Sequence, residues 1–269
     1  MTDIAGGRHR EVGASDQFIE RMADRGYDGV TALAYDAWLP PGTTFPDDAW
    51  YRRVIEQCGG TALELGAGNG RFLIPARQRG LDVAGIDSSA DMLDRCRLHA
   101  AAAGLDVTLH HGDIAPLELD RTYRAIVCPA GTFTLIADLD RARLALASYR
   151  THLDPGGTLS FSCHTEKRGD ITGFTWRLRR TATDATTGIT YVAHEATGAD
   201  DTTEQVHLSF SRVETYDRDG RLIDTWFRRL RLRWWTRDEM RSALADAGFA
   251  DIEFHGDDHD WLVTARAAD

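Results

Sequence analysis

Glu64-Leu65-Gly66-Ala67-Gly68-Asn69-Gly70-Arg71 separates a short apolar run, 61–65, from an amphipathic one, 71–80. The order reads as strand, glycine turn, helix. Glycines let the backbone come close to a ligand, and the helix start that follows presents free N–H groups. A dinucleotide fingerprint would need glycine at position 71, which is Arg71. A phosphate loop would need Gly-Lys-Ser/Thr, which does not occur here. By itself the stretch is also what a plain tight turn would look like, so the rest of the chain must decide.

Outward from the turn, strands and helices alternate. Residues 82–87 form a second short apolar run ending in Asp87, and Ser88 and Ser89 stand where a cap is needed for a helix running to about Ala103. A third strand is expected over 106–109, followed by His110-His111-Gly112-Asp113-Ile114. A fourth, 123–128, ends at Pro129-Ala130-Gly131. A helix over 138–152 and a turn lead to a fifth strand, 158–163. Short apolar strands alternating with helices predict a parallel sheet covered on both faces.

Before the turn, residues 1–16 read as mobile, and a weak helical pattern over 17–39 carries Phe18, Met22, Tyr27, Leu33, Tyr35 and Trp38. Asp47-Asp48 opens a further helix with Trp50, Tyr51, Val54 and Ile55 on its apolar face. Beyond residue 164 the period changes to two. Trp176 and Leu178 alternate with Arg177 and Arg179, and Leu230, Leu232 and Trp234 with Arg229, Arg231 and Arg233. That predicts a meander of about four half-exposed antiparallel strands whose arginine rows face solvent. Thr236-Arg237-Asp238-Glu239 is a capping box for a helix ending before Gly248, and two strands, 250–254 and 261–265, close the chain.

Composition limits the function. The 269 residues suffice for one large domain or a domain with an insertion, and 42% hydrophobic with 27% charged residues is ordinary for a globular protein. No run approaches the roughly 18 apolar residues of a membrane span, and the first residues lack the apolar stretch of a signal peptide. A net charge of −11 argues against a nucleic-acid partner. Cys58, Cys96, Cys128 and Cys163 form no CxxC pair and read as reduced thiols of a cytoplasmic protein. His255 and His259 flank acidic residues, but Gly256 makes that stretch a turn, and no metal site is expected.

Three acids fall at the C-terminal ends of predicted parallel strands, where open α/β sheets bind ligands. Asp87 lies 21 residues after Gly66, where an acid can accept from a ribose diol. Asp113 can accept from an exocyclic amine while the Ile114 N–H donates to a ring nitrogen. Glu64 can receive an ammonium.

Together, 64–71, 85–93, 111–114 and 153–157 resemble consecutive motifs of the class I S-adenosylmethionine (SAM) dependent methyltransferases. The resemblance covers roughly residues 50–165, and 236–266 is similar too. It implies a Rossmann-like α/β fold with a seven-stranded, mostly parallel sheet whose last strand runs antiparallel. By architecture the insertion is similar to that of bacterial small-molecule methyltransferases acting on glycine or amino sugars. The implied division is a helical lid at 1–50, a SAM-binding core at 51–165, an antiparallel β insertion forming the acceptor pocket at 166–235, and a helix and strand pair at 236–269. The implied cofactor is SAM, held by Tyr27, Glu64, Gly66, Ala67, Gly68, Gly70, Arg71, Asp87, Ser88, Met92, Gly112, Asp113, Ile114 and Pro129. Candidates facing the acceptor are His164, Tyr35 and His255, with Glu166, Asp258 and His259 nearby in sequence. Methyl transfer goes to N or O of a small molecule, in a monomer or homodimer. Cys-Pro-Ala-Gly at 128–131 departs from the pattern of enzymes that methylate base amines. Transfer to carbon or to a protein, or SAM binding without catalysis, are the other readings of the same motifs.

Overall fold

A computed structural model describes residues 26–164, 175–201, 203–257 and 259–268, of which 164 and 197–201 by backbone alone. The expectations for residues 1–25 and for Glu166 and Asp258 lie outside these. The apolar runs around the glycine turn become β1 (Ala62–Leu65) and β2 (Val83–Asp87), joined through α3 (Leu73–Gln78). Both strands are buried on both faces, which requires helices above and below. A seven-stranded sheet has the order β10-β11-β5-β4-β1-β2-β3, with β3 (Leu109–His111), β4 (Tyr123–Cys128), β5 (Leu153–His164), β10 (Phe249–Gly256) and β11 (Asp260–Ala267). Strand β11 runs antiparallel to both β5 and β10, and the other pairings are parallel.

Two strands differ from the sequence expectation. Strand β3 starts three residues late, because its pairing begins at Gly85–Leu109 and ends at Asp87–His111. Strand β5 starts early: Leu153 already pairs with Tyr123, 154–157 bulge out, and pairing resumes at Ala125–Thr158.

The helices begin where local chemistry permits. Ser89 caps α4 (Ala90–Ala102) by accepting from Met92 N, Asp138 caps α5 (Leu139–Thr151), and Thr236 with Glu239 forms the capping box of α6 (Arg237–Asp246). Helices α2 (Asp48–Cys58), α3 and α4 cover one face of the sheet through Tyr51, Val54, Phe72, Leu73 and Cys96. Helices α5 and α6 cover the other, around Phe133, Tyr149, Phe161, Trp235 and Leu244.

The period-two region forms a separate four-stranded antiparallel sheet, β6-β7-β8-β9, of β6 (Arg177–Thr183), β7 (Thr190–Asp201), β8 (Val206–Tyr216) and β9 (Leu222–Arg233). One face takes helix α1 (Val30–Trp38): Val30, Ala34, Ala37 and Trp38 pack on Tyr191, Val213 and Trp226. The other face gathers Ala196, Phe210, Trp176 and Phe227. The alternation therefore marks strands correctly but misplaces some side chains. Leu178 is 65% exposed, and Arg233, expected in a solvated row, is 5% exposed.

Among the described residues no helix is long and apolar enough to cross a membrane, and no three metal-ligating side chains gather. The four cysteines are free thiols, three of them buried.

Candidate active site

The turn after β1 is held open by its own geometry. Gly66 has φ +70°, and a Cβ there would lie 2.5 Å from Thr132 Cγ2. Gly68 has φ +56°, with Met92 Cε 3.1 Å from the place of a Cβ. Side chains at either position would be strained and would fill the space above the strand ends. The amides of Gly66 and Ala67 both donate to Ile86 O, tying the turn to β2.

Asp87 closes the turn from the β2 side. Its Oδ2 accepts from Gly68 N at 2.8 Å and its Oδ1 from Ser89 N at 2.9 Å. Burial raises its carboxyl above the ordinary value, against these two N–H groups and with Asp28 adding. Each oxygen keeps a lone pair for a further donor. Glu64 is 3% exposed, and its Oε2 has no hydrogen-bond partner. Burial pushes its carboxyl well up, with Arg71 pulling down and Asp48 and Asp87 pushing up. A buried carboxyl with an unpaired oxygen beside an open glycine turn suits a cationic ligand.

Met92 is buried and Gly112 N donates to Asp87 O at 3.1 Å. Asp113 is more engaged than its motif suggests. Its Oδ1 takes Ala115 N at 2.9 Å, and its Oδ2 pairs with Arg141 at 2.8 Å on the surface. Ser88 offers its carbonyl to His111 Nε2 at 3.0 Å, and Pro129 O accepts from Thr132 Oγ1 at 2.9 Å. Ile114 follows Asp113 and leans on the core behind β1.

Asn69 and Arg71 of the turn are bonded to the segment that precedes and opens α2. Asn69, fully buried, donates from Nδ2 to Asp36 Oδ1 at 2.8 Å and to Leu39 O at 2.9 Å. Asp36 also receives Arg95 Nε at 2.7 Å and meets His99 Nε2 at 2.6 Å. Burial raises this carboxyl, but the bonds from Asn69, His99 and Arg95 outweigh it and hold it below its ordinary value. Arg71 is committed too. Its Nη1 lies 2.8 Å from Asp48 Oδ2 and 3.1 Å from Thr43 O, with Cζ 3.9 Å over the Phe45 ring. Sequence reasoning missed Asp36. The signal was an acid between apolar helix positions, facing an amide in the glycine turn.

Tyr27 and Tyr35 meet edge to face at 5.5 Å, and Ser89 Oγ donates to Tyr27 O at 3.0 Å. The Tyr35 hydroxyl is pushed up to about 12, first by burial, then by Tyr27, with Arg71 opposing and Glu64 adding. It therefore stays protonated near neutrality. His164 ends β5 opposite Asp260, and its side chain lies outside the described residues. His255 stacks on Trp50 with centroids 4.2 Å apart. It lines a cavity of about 720 Å³ shared with Arg53, Arg124, Asp251 and Arg266, and no residue of the glycine turn lines that cavity. His259 is exposed, its N–H donating to Asp257 at 2.8 Å.

A further acid stands at the sheet edge. Asp47 stands just ahead of α2, and burial raises its carboxyl above the ordinary value, with Asp48 adding and the backbone of Asp47, Arg71 and the backbone of Ala130 opposing. Ala130 itself has φ +60°, a conformation that costs about 1–3 kcal/mol in a non-glycine residue. The motif reading passed over Asp47 as a helix opener.

These groups fit SAM. Glu64 lacks a partner for one oxygen and would take the ammonium, the oxygens of Asp87 have lone pairs free for a diol, and a Cβ at Gly66 or Gly68 would fill the cradle.

Comparison with known proteins gives the same direction. Residues 62–157 match the family described as methyltransferase domain. The chain is 30% identical over 143 residues to the cypemycin N-terminal methyltransferase of a Streptomyces species, covering 51% of this chain and 56% of that protein. It is 32% identical over 97 residues to the dTDP-3-amino-3,4,6-trideoxy-α-D-glucopyranose N,N-dimethyltransferase of Streptomyces venezuelae, covering 36% and 39%. The alignments thus span about half or less of either relative. The fold superposes on the CcbJ methyltransferase from Streptomyces caelestis with a TM-score of 0.69 at 26% identity, over 88% of this chain and 96% of that one.

Proposed function

We propose, for a chain that carries at 62–157 the methyltransferase domain of the class I SAM-dependent family, that it moves a methyl group to nitrogen or oxygen of a small-molecule acceptor, an amine above all. The observation that carries this reading is the pair of acids, buried Glu64 and half-buried Asp87, on either side of the open glycine turn. Two relatives whose names specify methylation of an N-terminus and of an amino sugar support nitrogen. The net charge of −11 supports a small acceptor over a nucleic acid.

When bound, SAM supplies a methyl group on a cationic sulfur that departs as a neutral thioether. Glu64 holds the ammonium of the donor, and Asp87 its ribose diol. Gly66, Ala67, Gly68, Gly70 and Gly112 let the backbone lie against it, with Met92, Ile114 and Pro129 packing around the base and Asp113 facing its amine. Ser88, Tyr27 and Arg71 complete the wall on the lid side. Alignment of acceptor and methyl does most of the remaining work, and in favourable intramolecular cases it is worth on the order of 7–11 kcal/mol. An acceptor that arrives as an ammonium must first lose a proton. On this reading Asp47, ahead of α2, or His164, at the end of β5, receives it, and the protonated Tyr35 donates a hydrogen bond. His255, packed on Trp50, takes no part.

Incubation with methyl-labelled SAM and a panel of amines, phenols and amino sugars tests this. Label is expected in an amine. Tight SAM binding in calorimetry with no label in any acceptor would sink the transferase reading and favour a regulatory SAM-binding protein.

A further inference from the structure

Arg228 is the charge in this protein that the site described so far leaves unused. It lies on β9, opposite Ser211 of β8, on the sheet face where Trp226 packs against α1. Its Cζ sits 4.4 Å over the ring of Tyr27, and its Nη2 donates to Ser211 Oγ at 3.3 Å. Nε and Nη1 are both shielded from solvent and have no hydrogen-bond partner among the described residues.

Other shielded guanidinium groups have oxygen partners: Arg71 meets Asp48, Arg95 meets Asp36, Arg212 meets Glu214, and Arg233 donates to Glu204 O and Gln205 Oε1. Arg228 has a hydroxyl and an aromatic face, and among the described residues no carboxylate lies within 4.0 Å of it. Leaving charged donors unpaired away from water is costly, and such groups in a folded protein call for an explanation.

Its position supplies one. Tyr27, under the guanidinium, is bonded through its carbonyl to Ser89, next to the Asp87 end of the donor site. Its ring meets Tyr35, whose hydroxyl feels both Glu64 and Arg71. Arg228 is therefore one ring removed from the reacting region, on the wall supplied by the inserted sheet.

We propose that Arg228 is the anchor for an anionic group, a carboxylate or a phosphate, on the acceptor. The inference rests on the methyl-transfer reading for the word acceptor, and on the unpaired guanidinium for the charge. The planar donor set of arginine matches both oxyanions, and stacking on Tyr27 holds the plane while the N–H edge turns to the ligand. Arg228 acts in binding and specificity and touches no reacting atom.

Matched probes test this. Calorimetry on the chain saturated with S-adenosylhomocysteine would compare glycine with glycinamide, and glucosamine 6-phosphate with glucosamine. The charged member of at least one pair is expected to bind at least about tenfold more tightly. In Arg228→Gln that preference should fall to within about twofold, and Arg228→Lys should keep part of it, with S-adenosylhomocysteine affinity and melting temperature unchanged in both. Which pair shows the preference tells carboxylate from phosphate. Equal binding within both pairs, no binding of any probe, or a preference that survives in Arg228→Gln would overturn the proposal. Should Arg228→Gln unfold, the wild-type ratio and the Lys variant still decide it. Labelled SAM added to the same pairs separates the two readings. Charge preference without methyl transfer removes the transferase reading alone, and transfer without charge preference removes the anchor alone.

Discussion

The two sheets of this protein satisfy their polar groups in different ways. In the seven-stranded sheet the groups near the strand ends are paired inside the domain: the Gly68 and Ser89 amides on Asp87, Arg71 on Asp48, and Asn69 on Asp36. Exceptions include Glu64 Oε2 and Asn69 Oδ1 beside the turn and, farther off, Tyr149 Oη and His255 Nε2. In the four-stranded sheet several shielded nitrogens are left over, among them His194 Nδ1 and Nε and Nη1 of Arg228. The difference separates a frame whose spare buried groups beside the glycine turn are acceptors from a wall whose spare groups are nitrogens, several of them on guanidinium groups. On the methyl-transfer reading, the frame holds a donor of fixed chemistry and the wall faces the variable acceptor.

The largest expected effect tests the frame. Asp87→Ala removes the acceptor of two backbone N–H groups together with the proposed ligand of the diol. With charge-assisted hydrogen bonds worth about 1.5–3 kcal/mol each, SAM affinity should fall at least ~100-fold in calorimetry. Unchanged affinity would remove Asp87 from the site, and the frame would lose its claim to the donor.

The next test falls on the joint between frame and wall. Helix α1 touches the inserted sheet through Ala34 and Trp38, and it touches the glycine turn through Asp36. Asp36→Ala strands Asn69, Arg95 and His99 around an empty place. Asn69 is fully buried and the other two are partly exposed, so a loss of about 2–4 kcal/mol is expected in denaturant unfolding. The pH dependence has a definite sign. The folded carboxyl lies below its ordinary value of about 3.9, so its contribution is complete above roughly pH 5 and disappears as pH falls through that value. The wild-type protein should lose stability over that interval more steeply than Asp36→Ala. Parallel curves would mean α1 is fastened elsewhere.

Glu64 sharpens the contrast at a smaller scale. Its folded carboxyl lies well above the ordinary value of about 4.3, so ionisation is unfavourable to the folded chain as pH rises. An ammonium ligand favours the ionised form. SAM binding should therefore release close to one proton below the folded value, and affinity should rise up to ~10-fold per pH unit there. Calorimetry in two buffers of different ionisation heat reads this directly, and Glu64→Gln should abolish the proton release. Buffer-independent heats in the wild type would show that Glu64 does not meet the ammonium.

How far the sequence announces these features follows from their range. The runs 62–65, 83–87 and 123–128 are legible because strands buried on both faces need nothing but apolar side chains. The capping box at Thr236 and the cap at Ser89 are legible because their partners lie within three residues. Strand β3 is misread by three residues, since its extent is set by pairing with the end of β2 rather than by its own side chains. The Asp36–Asn69 clasp joins residues 33 apart, and an acid in a helix reads as a surface position until its partners are known. Asp47 is hidden the same way. It looks like a helix opener, and its approach to the backbone of Ala130 depends on how α2 docks against β4. The arginines of the insertion are the hardest case, because alternation tells which residues share a face but not what covers that face.

Arg231 and Arg233 make that last point measurable, with the smallest effects of the series. They stand two apart on β9, so period two assigns them one face and one fate. Arg231 is exposed. Arg233 is buried, donates to Glu204 O and to Gln205 Oε1 at 2.9 Å each, and places Cζ 4.9 Å over the Trp235 ring. The strand leaves the free part of the sheet between these two positions and runs into the core beside Trp235, where Phe133 also packs. Arg233→Ala should cost about 1–2 kcal/mol of stability, through two hydrogen bonds and the packing of its stem. Arg231→Ala should stay within about 0.5 kcal/mol. Equal effects in denaturant unfolding would mean that the whole row is solvated, as the bare alternation implies. A difference of about 1 kcal/mol between neighbours on one face would show the four-stranded sheet being anchored into the frame at the end of β9.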